Sequence, residues 1–143
     1  MQASTPKLVG DLMTKEVVTL DRNEQLSIAD QVMSLGRIRH LPVLGEEGEL
    51  VGIVSRSDLL HGALASMLGY GSRGRQKLMN TILVKEVMTN GPTVVAPDTP
   101  LGEAARIMST NKIGCLPVTR DDQLVGILTE GDFVELHAAE SES

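Results

Sequence analysis

Hydrophobic and polar positions alternate along this chain in two matching series. Short runs rich in β-branched residues, 17–20 and 93–95, predict a strand at the start of each series. Apolar residues at helical spacing follow, beginning at Leu26 in the first series and at Leu101 in the second. Two further apolar runs joined by a polar turn predict a β-hairpin, and a second helix begins after Ser55. The predicted order is strand, helix, strand, strand, helix, twice.

The two series also share identical residues. Leu41-Pro42-Val43 recurs as Leu116-Pro117-Val118 at an offset of 75 residues, and Val51-Gly52-Ile53 recurs as Val125-Gly126-Ile127 at an offset of 74. The change of offset falls in the hairpin turn, where a structural repeat tolerates the loss of a residue. The chain is therefore one folding unit written twice.

Proline and glycine constrain the predicted hairpins. Pro42 and Pro117 have no N–H to donate to a sheet, so we expect them at a strand start or on an edge. Gly52 and Gly126 interrupt apolar strands, which indicates a bulge or the close approach of something flat. Tight packing between the two copies would explain these glycines equally well, and the sequence leaves both explanations open.

Composition narrows the function classes. The net charge of -6 and the near absence of aromatic residues disfavour nucleic acid as a partner, because that binding needs basic side chains and stacking platforms. No apolar run approaches the length of a membrane helix, and residues 1–7 lack the pattern of a signal peptide, so we expect a cytoplasmic protein without a membrane partner. Cys115 is the one cysteine, predicted to be a small buried hydrophobe, with a reactive thiol as the alternative.

Three other features are assigned no site. The run 69–74 matches the spaced glycines of a dinucleotide fingerprint, but it follows a helix, so 69–81 is interpreted as a linker whose basic residues could fold over a phosphate. His61 and His137 have no neighbouring ligands at metal spacing, and we expect no metal site. The small, acidic tail 138–143 is predicted to be disordered.

Taken together, the motifs resemble the CBS domain family, named after cystathionine beta-synthase. The matching pieces are Asp11-Leu12-Met13-Thr14 and Glu86-Val87-Met88-Thr89, the two Leu-Pro-Val triplets, and the runs Val51–Asp58 and Val125–Asp132. The resemblance implies an α/β (α+β) fold with a tandem pair of β-α-β-β-α motifs, 7–68 and 82–137, related by a pseudo-twofold axis. It further implies clefts between the motifs that hold AMP, ADP, ATP or S-adenosylmethionine, and a homodimer.

Two aspartates are candidates for holding the ribose. Asp58 and Asp132 each lie near the start of a predicted helix, and a carboxylate can accept hydrogen bonds from both ribose hydroxyls. The alternative is a first-turn aspartate that favours the helix dipole. Ser55 and Thr129, three residues earlier, could present hydroxyls and amides to a phosphate, cap the helix, or do both.

The resemblance places adenine between the first strand of a motif and the residues before its Leu-Pro-Val triplet. In the second copy these residues are Thr93, Val94, Ile113, Gly114, Cys115 and Pro117, and in the first they are Val18, Thr19, Ile38, Arg39, His40 and Pro42. An aliphatic slot suits adenine because the base needs apolar faces and a few polar groups at its edge. Core packing is the alternative role for Ile38 and Ile113.

Basic residues are unequally distributed between the predicted sites. The resemblance implies that Arg39 and His40 reach the phosphates of a nucleotide held at Asp132, and the alternative is a solvated basic edge. Because the counterpart run 112–115 is less basic, we expect unequal sites, with the tighter binding at Asp132. Glu130 adds a negative charge near that site and makes several phosphates there less favourable.

The sequence thus predicts a non-catalytic regulatory module that binds an adenine nucleotide and signals to an unidentified partner. AMP, ADP and ATP are the expected ligands, and S-adenosylmethionine or NADH are further candidates. No catalytic triad or paired carboxylates recur near the predicted clefts, so no enzyme activity and no catalytic cofactor are expected. A ligand-independent dimerisation scaffold is the alternative, and the sequence does not distinguish a parallel from an antiparallel dimer.

Overall fold

The computed structural model describes residues 5–60 and 79–142, and we number its helices and strands in chain order. They are α1 (Val9–Leu12), β1 (Leu20–Asp21), α2 (Leu26–Gly36), β2 (His40–Leu44), β3 (Leu50–Ser55), α3 (56–60), α4 (Val84–Val87), β4 (Thr89–Asn90), α5 (Leu101–Asn111), β5 (Cys115–Arg120), β6 (Gln123–Thr129) and α6 (Glu130–Glu142). The predicted mixed α/β fold is confirmed. The glycine run 69–74, its basic neighbours and His61 lie outside the described residues.

The chain divides into two compact units that differ from its two repeats. We call Val18–Pro92 the central unit, and Met1–Val17 together with Thr93–Ser143 the C-terminal unit. We call residues 9–14 the head of the first copy and residues 84–90 the head of the second copy. Each head therefore belongs to the unit built on the other copy. Helix α1, from the first copy, lies in the C-terminal unit, whereas α4 and β4, from the second copy, lie in the central unit.

The central unit contains a four-stranded sheet in the order β1-β2-β3-β4. Strand β1 pairs in parallel with β2, with Leu20 opposite Val43. Strand β3 pairs antiparallel with both β2 and β4, and Ile53 of β3 lies opposite Thr89 of β4. The predicted hairpin is thus present, and the head of the second copy extends its sheet by one strand.

The C-terminal unit repeats this arrangement with shorter pairings. Strands β5 and β6 form the antiparallel hairpin, and single bridges join Val95 in parallel to Val118 and Thr14 antiparallel to Ile127. The N–H of Thr14 donates to the carbonyl of Ile127 at 2.9 Å, and the N–H of Ile127 donates back at 3.0 Å. Val95 therefore occupies the position that β1 has in the central unit, and the head of the first copy occupies the position that β4 has there.

The first strand of each copy is shorter than predicted, because a proline ends its pairing. Val95 donates its N–H to the carbonyl of Pro117 at 3.1 Å, and Thr119 donates its N–H to Val95 at 2.9 Å. Extending this parallel ladder to Thr93 would require an N–H on Pro117, which proline lacks. Pro117 and Pro42 are the third residues of their strands, not the first, and each lies where the pairing with the first strand of its copy ends, which agrees with the edge alternative of the prediction.

Each unit has its own hydrophobic core, and each core includes a residue from the other copy's head. Val9 of α1 is fully buried in the C-terminal core, and Val84 of α4 is fully buried in the central core. Their backbones are fixed as well, because the N–H of Val9 donates to Thr99 and that of Val84 donates to Glu24, both at 2.8 Å. Neither repeat completes its core from its own residues.

The C-terminal tail is helical over residues for which the sequence predicts disorder. Helix α6 spans Glu130–Glu142 and includes most of the stretch 138–143. Alanine and glutamate are strong helix formers, so Ala138, Ala139 and Glu140 continue a helix that is already nucleated. Within the described residues, no helix is both long enough and apolar enough to cross a membrane.

Gly52 and Gly126 lie directly beneath the heads of the opposite copies. A Cβ placed on Gly126 would overlap Met13 Sδ and lie 3.0 Å from the carbonyl oxygen of Thr14. A Cβ on Gly52 would lie 2.5 Å from Met88 Sδ and 2.9 Å from the carbonyl oxygen of Thr89. The close approach is therefore made by protein from the other copy, as the packing interpretation proposed. Both hairpins also shift register next to these glycines.

We expect Gly126→Ala to lower the free energy of unfolding by about 1–3 kcal/mol, because its methyl group forces Met13 and the Thr14 backbone away from β6. Gly102→Ala is the matched control in the same unit. Gly102 is exposed in α5 with no atom within 4 Å of the added carbon, so this change should raise the stability by up to about 1 kcal/mol. Urea denaturation measures both. Equal effects of the two substitutions would contradict the packing described for Gly126.

Candidate functional site

In the central unit, predicted site residues meet at one end of the β2–β3 hairpin, which we call the Asp58 site. His40 pairs with Ser55 across the hairpin, and the N–H of Arg56 donates to the carbonyl of Arg39 at 2.8 Å. The N–H of Ser55 donates to Asp58 Oδ2 at 2.9 Å, and the N–H of Asp58 donates to Ser55 Oγ at 3.0 Å. This reciprocal pair caps α3. It also fixes the half-buried Asp58 carboxylate beside the start of β2.

The C-terminal unit places the equivalent residues in the same way, and we call this group the Asp132 site. Cys115 pairs with Thr129 across the β5–β6 hairpin, and the N–H of Glu130 donates to the carbonyl of Gly114 at 3.1 Å. The N–H of Thr129 donates to Asp132 Oδ2 at 2.9 Å, and its hydroxyl contacts the same oxygen at 3.3 Å. Here the hydroxyl donates to the carboxylate, whereas that of Ser55 accepts from the helix backbone.

The Asp132 carboxylate retains capacity for a ligand. Both bonds from Thr129 reach Oδ2, whereas an ionised carboxylate offers about four lone-pair positions over its two oxygens. Oδ1 can therefore accept a hydrogen bond from a ribose hydroxyl while Oδ2 holds the start of α6. The helix-start role and the ribose-binding role, which the sequence left as alternatives for Asp132, are therefore compatible at this residue.

The isoleucines predicted to border adenine follow identical helix ends. Helix α2 ends on Arg37 with φ 53°, and α5 ends on Lys112 with φ 54°, both in the left-handed region. Ile38 and Ile113 come next, half-buried, and each packs against the core of its unit. Core packing thus accounts for part of each side chain, and the exposed remainder lies next to Arg39 or Gly114.

Aliphatic side chains also stand exposed where the first strand of each copy leaves the sheet. Val18 is 46% exposed and Val94 is 41% exposed, while Thr93 is exposed and Thr19 is half-buried. Pro42 and Pro117, whose missing N–H groups end the pairing, are fully buried. Solvent-accessible apolar side chains beside unpaired backbone positions are the kind of surface that a flat purine requires.

Cys115 lies within the electrostatic field of Asp132. Burial, and to a smaller extent the Asp132 charge, raise the pKa of the Cys115 thiol to about 12. The thiol is therefore neutral at physiological pH, which favours the small buried hydrophobe over the reactive thiol. Because Cys115 pairs with Thr129 and Thr129 donates to Asp132, the Asp132 carboxylate lies near the start of β5.

Some predicted relations join residues of different units. The pairing of Arg39 and His40 with a nucleotide held at Asp132 is one of these, and it stays a prediction.

His137 is exposed on α6. In the part of the chain that the structure describes, no group of three or more His, Cys, Asp or Glu side chains is arranged to hold a metal ion.

Sequence reasoning missed one residue at these sites. Arg56 occupies in the Asp58 site the position that Glu130 occupies in the Asp132 site, since each donates its N–H to the residue before the Leu-Pro-Val strand begins. The signal was present in the alignment of Ser55-Arg56-Ser57-Asp58 with Thr129-Glu130-Gly131-Asp132. The opposite charges of Arg56 and Glu130 at matched positions of that alignment would have identified the two residues as counterparts.

Comparisons with solved structures extend over nearly the whole chain. A Vibrio cholerae protein named for acetoin utilization, AcuB, is 39% identical, with a TM-score of 0.80 over 94% of this chain and 93% of that chain. A CBS domain pair in complex with 5′-methylthioadenosine and S-adenosyl-L-methionine is 30% identical, with a TM-score of 0.77 over 93% of this chain and 97% of that chain. CBSX2 in complex with AMP is 33% identical, with a TM-score of 0.76 over 96% of this chain and 100% of that chain.

The family assignment rests on the repeats themselves. The CBS domain model matches twice, at residues 9–64 and 84–138, which are the two copies identified by their shared residues. Both matches include the helix-start aspartate and the Leu-Pro-Val strand described above. The chain belongs to the CBS domain family and carries a pair of its domains.

Proposed function

We propose that this chain is a non-catalytic regulatory module that binds an adenine nucleotide of the AMP, ADP or ATP class at the Asp58 and Asp132 sites. The observation that carries the proposal is the pair of half-buried aspartates, each bonded to its own Ser or Thr at a helix start, in units that also expose Val18 or Val94. Solved CBS pairs of 30% and 33% identity that carry adenosine compounds support the same ligand class. S-adenosylmethionine and NADH remain candidate ligands.

Each chemical part of the ligand has a matching feature within one unit. The aspartate accepts hydrogen bonds from the ribose diol, as charged acceptors do strongly. The exposed faces of Val18 and Ile38, or of Val94 and Ile113, contact the base. Backbone amides at the helix start attract negative charge. The ligand thereby ties the helix start to the strand end, and we propose that a partner protein distinguishes this bound state.

The proposal includes a cytoplasmic homodimer. Helix α2 presents Ile28 and Leu35 on one face, seven residues apart, and they are 37% and 88% exposed. Exposed apolar residues on one helix face favour association with another protein surface. The same observation favours the second candidate function, a dimerisation scaffold that needs no ligand.

Unfolding experiments with ligands separate these functions. A single-site ligand at 100 times its dissociation constant should raise the stability by about 2.7 kcal/mol. AMP, ADP, ATP, NADH and S-adenosylmethionine would each be tested by thermal shift. The regulatory proposal fails, and the scaffold remains, if none of the five raises the unfolding midpoint.

We expect Asp132→Ala to weaken nucleotide binding at its site by about 10- to 100-fold, because a hydrogen bond to a charged group contributes about 1.5–3 kcal/mol. Isothermal titration calorimetry in an Asp58→Ala background isolates the Asp132 site. Glu135→Ala is the matched control, since Glu135 is an exposed acidic residue on the same helix. The double variant Asp58→Ala/Asp132→Ala should bind nucleotide about 10- to 100-fold more weakly than the unaltered protein does; unchanged affinity in that variant would rule out both aspartates as ribose ligands.

A further inference from the structure

One methionine of each head lies against a glycine of the strand with which that head pairs. Met13 Sδ occupies the space in which a side chain of Gly126 would lie, and Met88 Sδ occupies the corresponding space at Gly52. The two methionines are matched positions of the repeat, 75 residues apart. Each sulfur therefore fills a gap in the other copy's hairpin at the one position of the contact where the strand has no side chain.

The methionines of the heads differ in exposure from those of the cores. Met13 and Met88 are half-buried, and each packs against the core of its unit from outside. Met33, Met79 and Met108 are buried, with 1%, 4% and 6% of their surface exposed. Among the methionines of residues 5–60 and 79–142, those of the heads are therefore the ones that a small solute reaches in the folded protein.

The cysteine is protected from the same solutes if they are oxidants. A thiol reacts with a peroxide as its thiolate, and the buried Cys115 thiol is neutral because its pKa is about 12. A thioether has no proton to lose, so its sulfur reacts without ionisation. The heads therefore hold the sulfur atoms of the described residues that an oxidant attacks first.

We propose that Met13 and Met88 are modification sites, at which hydrogen peroxide converts the thioether to the sulfoxide and thereby loosens the heads. The peroxide transfers one oxygen atom to sulfur. An S–O bond forms, the O–O bond breaks, sulfur loses two electrons to the peroxide, and the second oxygen leaves as water. Methionine sulfoxide reductases reverse this step, so the modification is reversible. It is independent of nucleotide binding.

The contact at each glycine has no place for an added oxygen. The Cβ position of Gly126 lies 3.0 Å from the carbonyl oxygen of Thr14, and the N–H groups of Thr14 and Ile127 already donate to each other's carbonyls. An oxygen on the inner side of the sulfur finds no donor there and has to displace the head. An oxygen on the outer side makes a packed side chain polar and draws it toward water. Either product weakens the contact.

The effect reaches the cores through the backbone of each methionine. The N–H of Met13 donates to the carbonyl of Val9 at 2.8 Å, and the N–H of Met88 donates to the carbonyl of Val84 at 3.0 Å. Val9 and Val84 are fully buried, each in the core of the unit that its head joins. Displacing a methionine therefore pulls on the short helix that holds the buried valine, and we expect a loss of stability.

Mass-spectrometric peptide mapping during a time course with hydrogen peroxide tests the assignment. The methionines of the heads should be oxidised at least about 10-fold faster than the three buried methionines, because a buried sulfur reacts only when its core opens. Met1 and Met67 lie outside the described residues, and each is followed in its own peptide. Equal rates for the head and core methionines overturn the inference.

Thermal unfolding tests the consequence. Oxidation confined to the two heads should lower the unfolding midpoint by about 5 °C or more, and a methionine sulfoxide reductase should restore it. Met13→Leu/Met88→Leu should keep its own midpoint within about 2 °C after the same treatment, because leucine has a similar volume and no sulfur. The matched control is Met33→Leu/Met108→Leu, another pair at an offset of 75 residues, which should lose as much as the unaltered protein.

Two results of these measurements contradict the proposal. One is an unchanged midpoint when both head methionines are sulfoxides, and the other is an equal loss in Met13→Leu/Met88→Leu and in the unaltered protein. Met13→Gln gives a check that needs no oxidant, since it places a polar side chain of similar length against Gly126. It should lower the midpoint more than Met13→Leu does, and equal midpoints for the two variants also contradict the proposal. All measurements use protein without nucleotide, so their outcome is separate from that of the proposed function.

Discussion

Val9→Asp is expected to lower the free energy of unfolding by about 3–5 kcal/mol, the range found when a charge is left buried without a partner. Val9 is fully buried in the core of the C-terminal unit, although it belongs to the first copy of the repeat. A carboxylate there loses its hydration without gaining a compensating group. Lys15→Asp is the control, because Lys15 is exposed in the same segment and its replacement should change stability by about 0.5 kcal/mol or less.

Hydrogen exchange would locate the damage. The amides of β5 and β6 should lose more protection in Val9→Asp than those of β2 and β3, because Val9 packs in the core that those two strands cover. Val84→Asp should have the opposite distribution, since Val84 lies in the core of the central unit. Damage confined to β2 and β3 in Val9→Asp would contradict the assignment of α1 to the C-terminal unit.

Leu116→Ala should lower the free energy of unfolding by about 2–5 kcal/mol, because it removes a fully buried side chain and leaves a cavity. Leu41→Ala, its counterpart in the central unit, should have an effect of similar size. The matched control is Leu35→Ala, since Leu35 is 88% exposed on α2 and its truncation should change stability by about 0.5 kcal/mol or less.

Urea denaturation of the three leucine variants at equal protein concentration gives this comparison. A loss in Leu35→Ala as large as that in Leu116→Ala would show that the α2 face is buried in solution, as a dimer contact would bury it. Repeating the measurement over a range of protein concentrations would show whether a dimer contact causes that loss, because dimer dissociation makes the unfolding midpoint concentration-dependent.

The local sequence pattern was sufficient to predict the hairpins and the helices α2 and α5. Apolar alternation and the repeated Leu-Pro-Val triplet specify β2, β3, β5 and β6, because strand pairing there joins neighbouring segments of the chain. The exchange of the heads could not be predicted from these patterns. Val9 and Val84 are apolar residues of short helices, and nothing in their own segments indicates which copy's core they enter.

Two predictions failed because a non-local interaction or a neighbouring element overrode local preference. The run 93–95 has strong strand propensity, but its pairing with β5 stops at Val95 because Pro117 has no N–H. The stretch 138–143 is small and acidic, but it follows a helix already formed from Glu130, so its residues extend that helix to Glu142. In both cases the deciding residue lay outside the segment that was interpreted.

The candidate sites were more predictable than the units that contain them. The spacing of Ser55 to Asp58 and of Thr129 to Asp132 indicates a helix start. Ser55 Oγ caps α3 as expected, whereas the Thr129 hydroxyl donates to Asp132 instead. The contact between Glu130, the first residue of α6, and Gly114, the residue before β5, became visible only with the register of the hairpin. The residue types at the candidate sites could be predicted from the sequence, whereas the contacts between them required the structure.

The exchange of heads has a consequence for biosynthesis. A ribosome releases the chain from its N-terminus, and domains usually fold in that order. Here the central unit, Val18–Pro92, is one continuous stretch that can close before the second hairpin has been translated. Val9 is translated before Leu128, which lies in the same core. The segment that contains Val9 must therefore stay exposed until the β5–β6 hairpin has been translated.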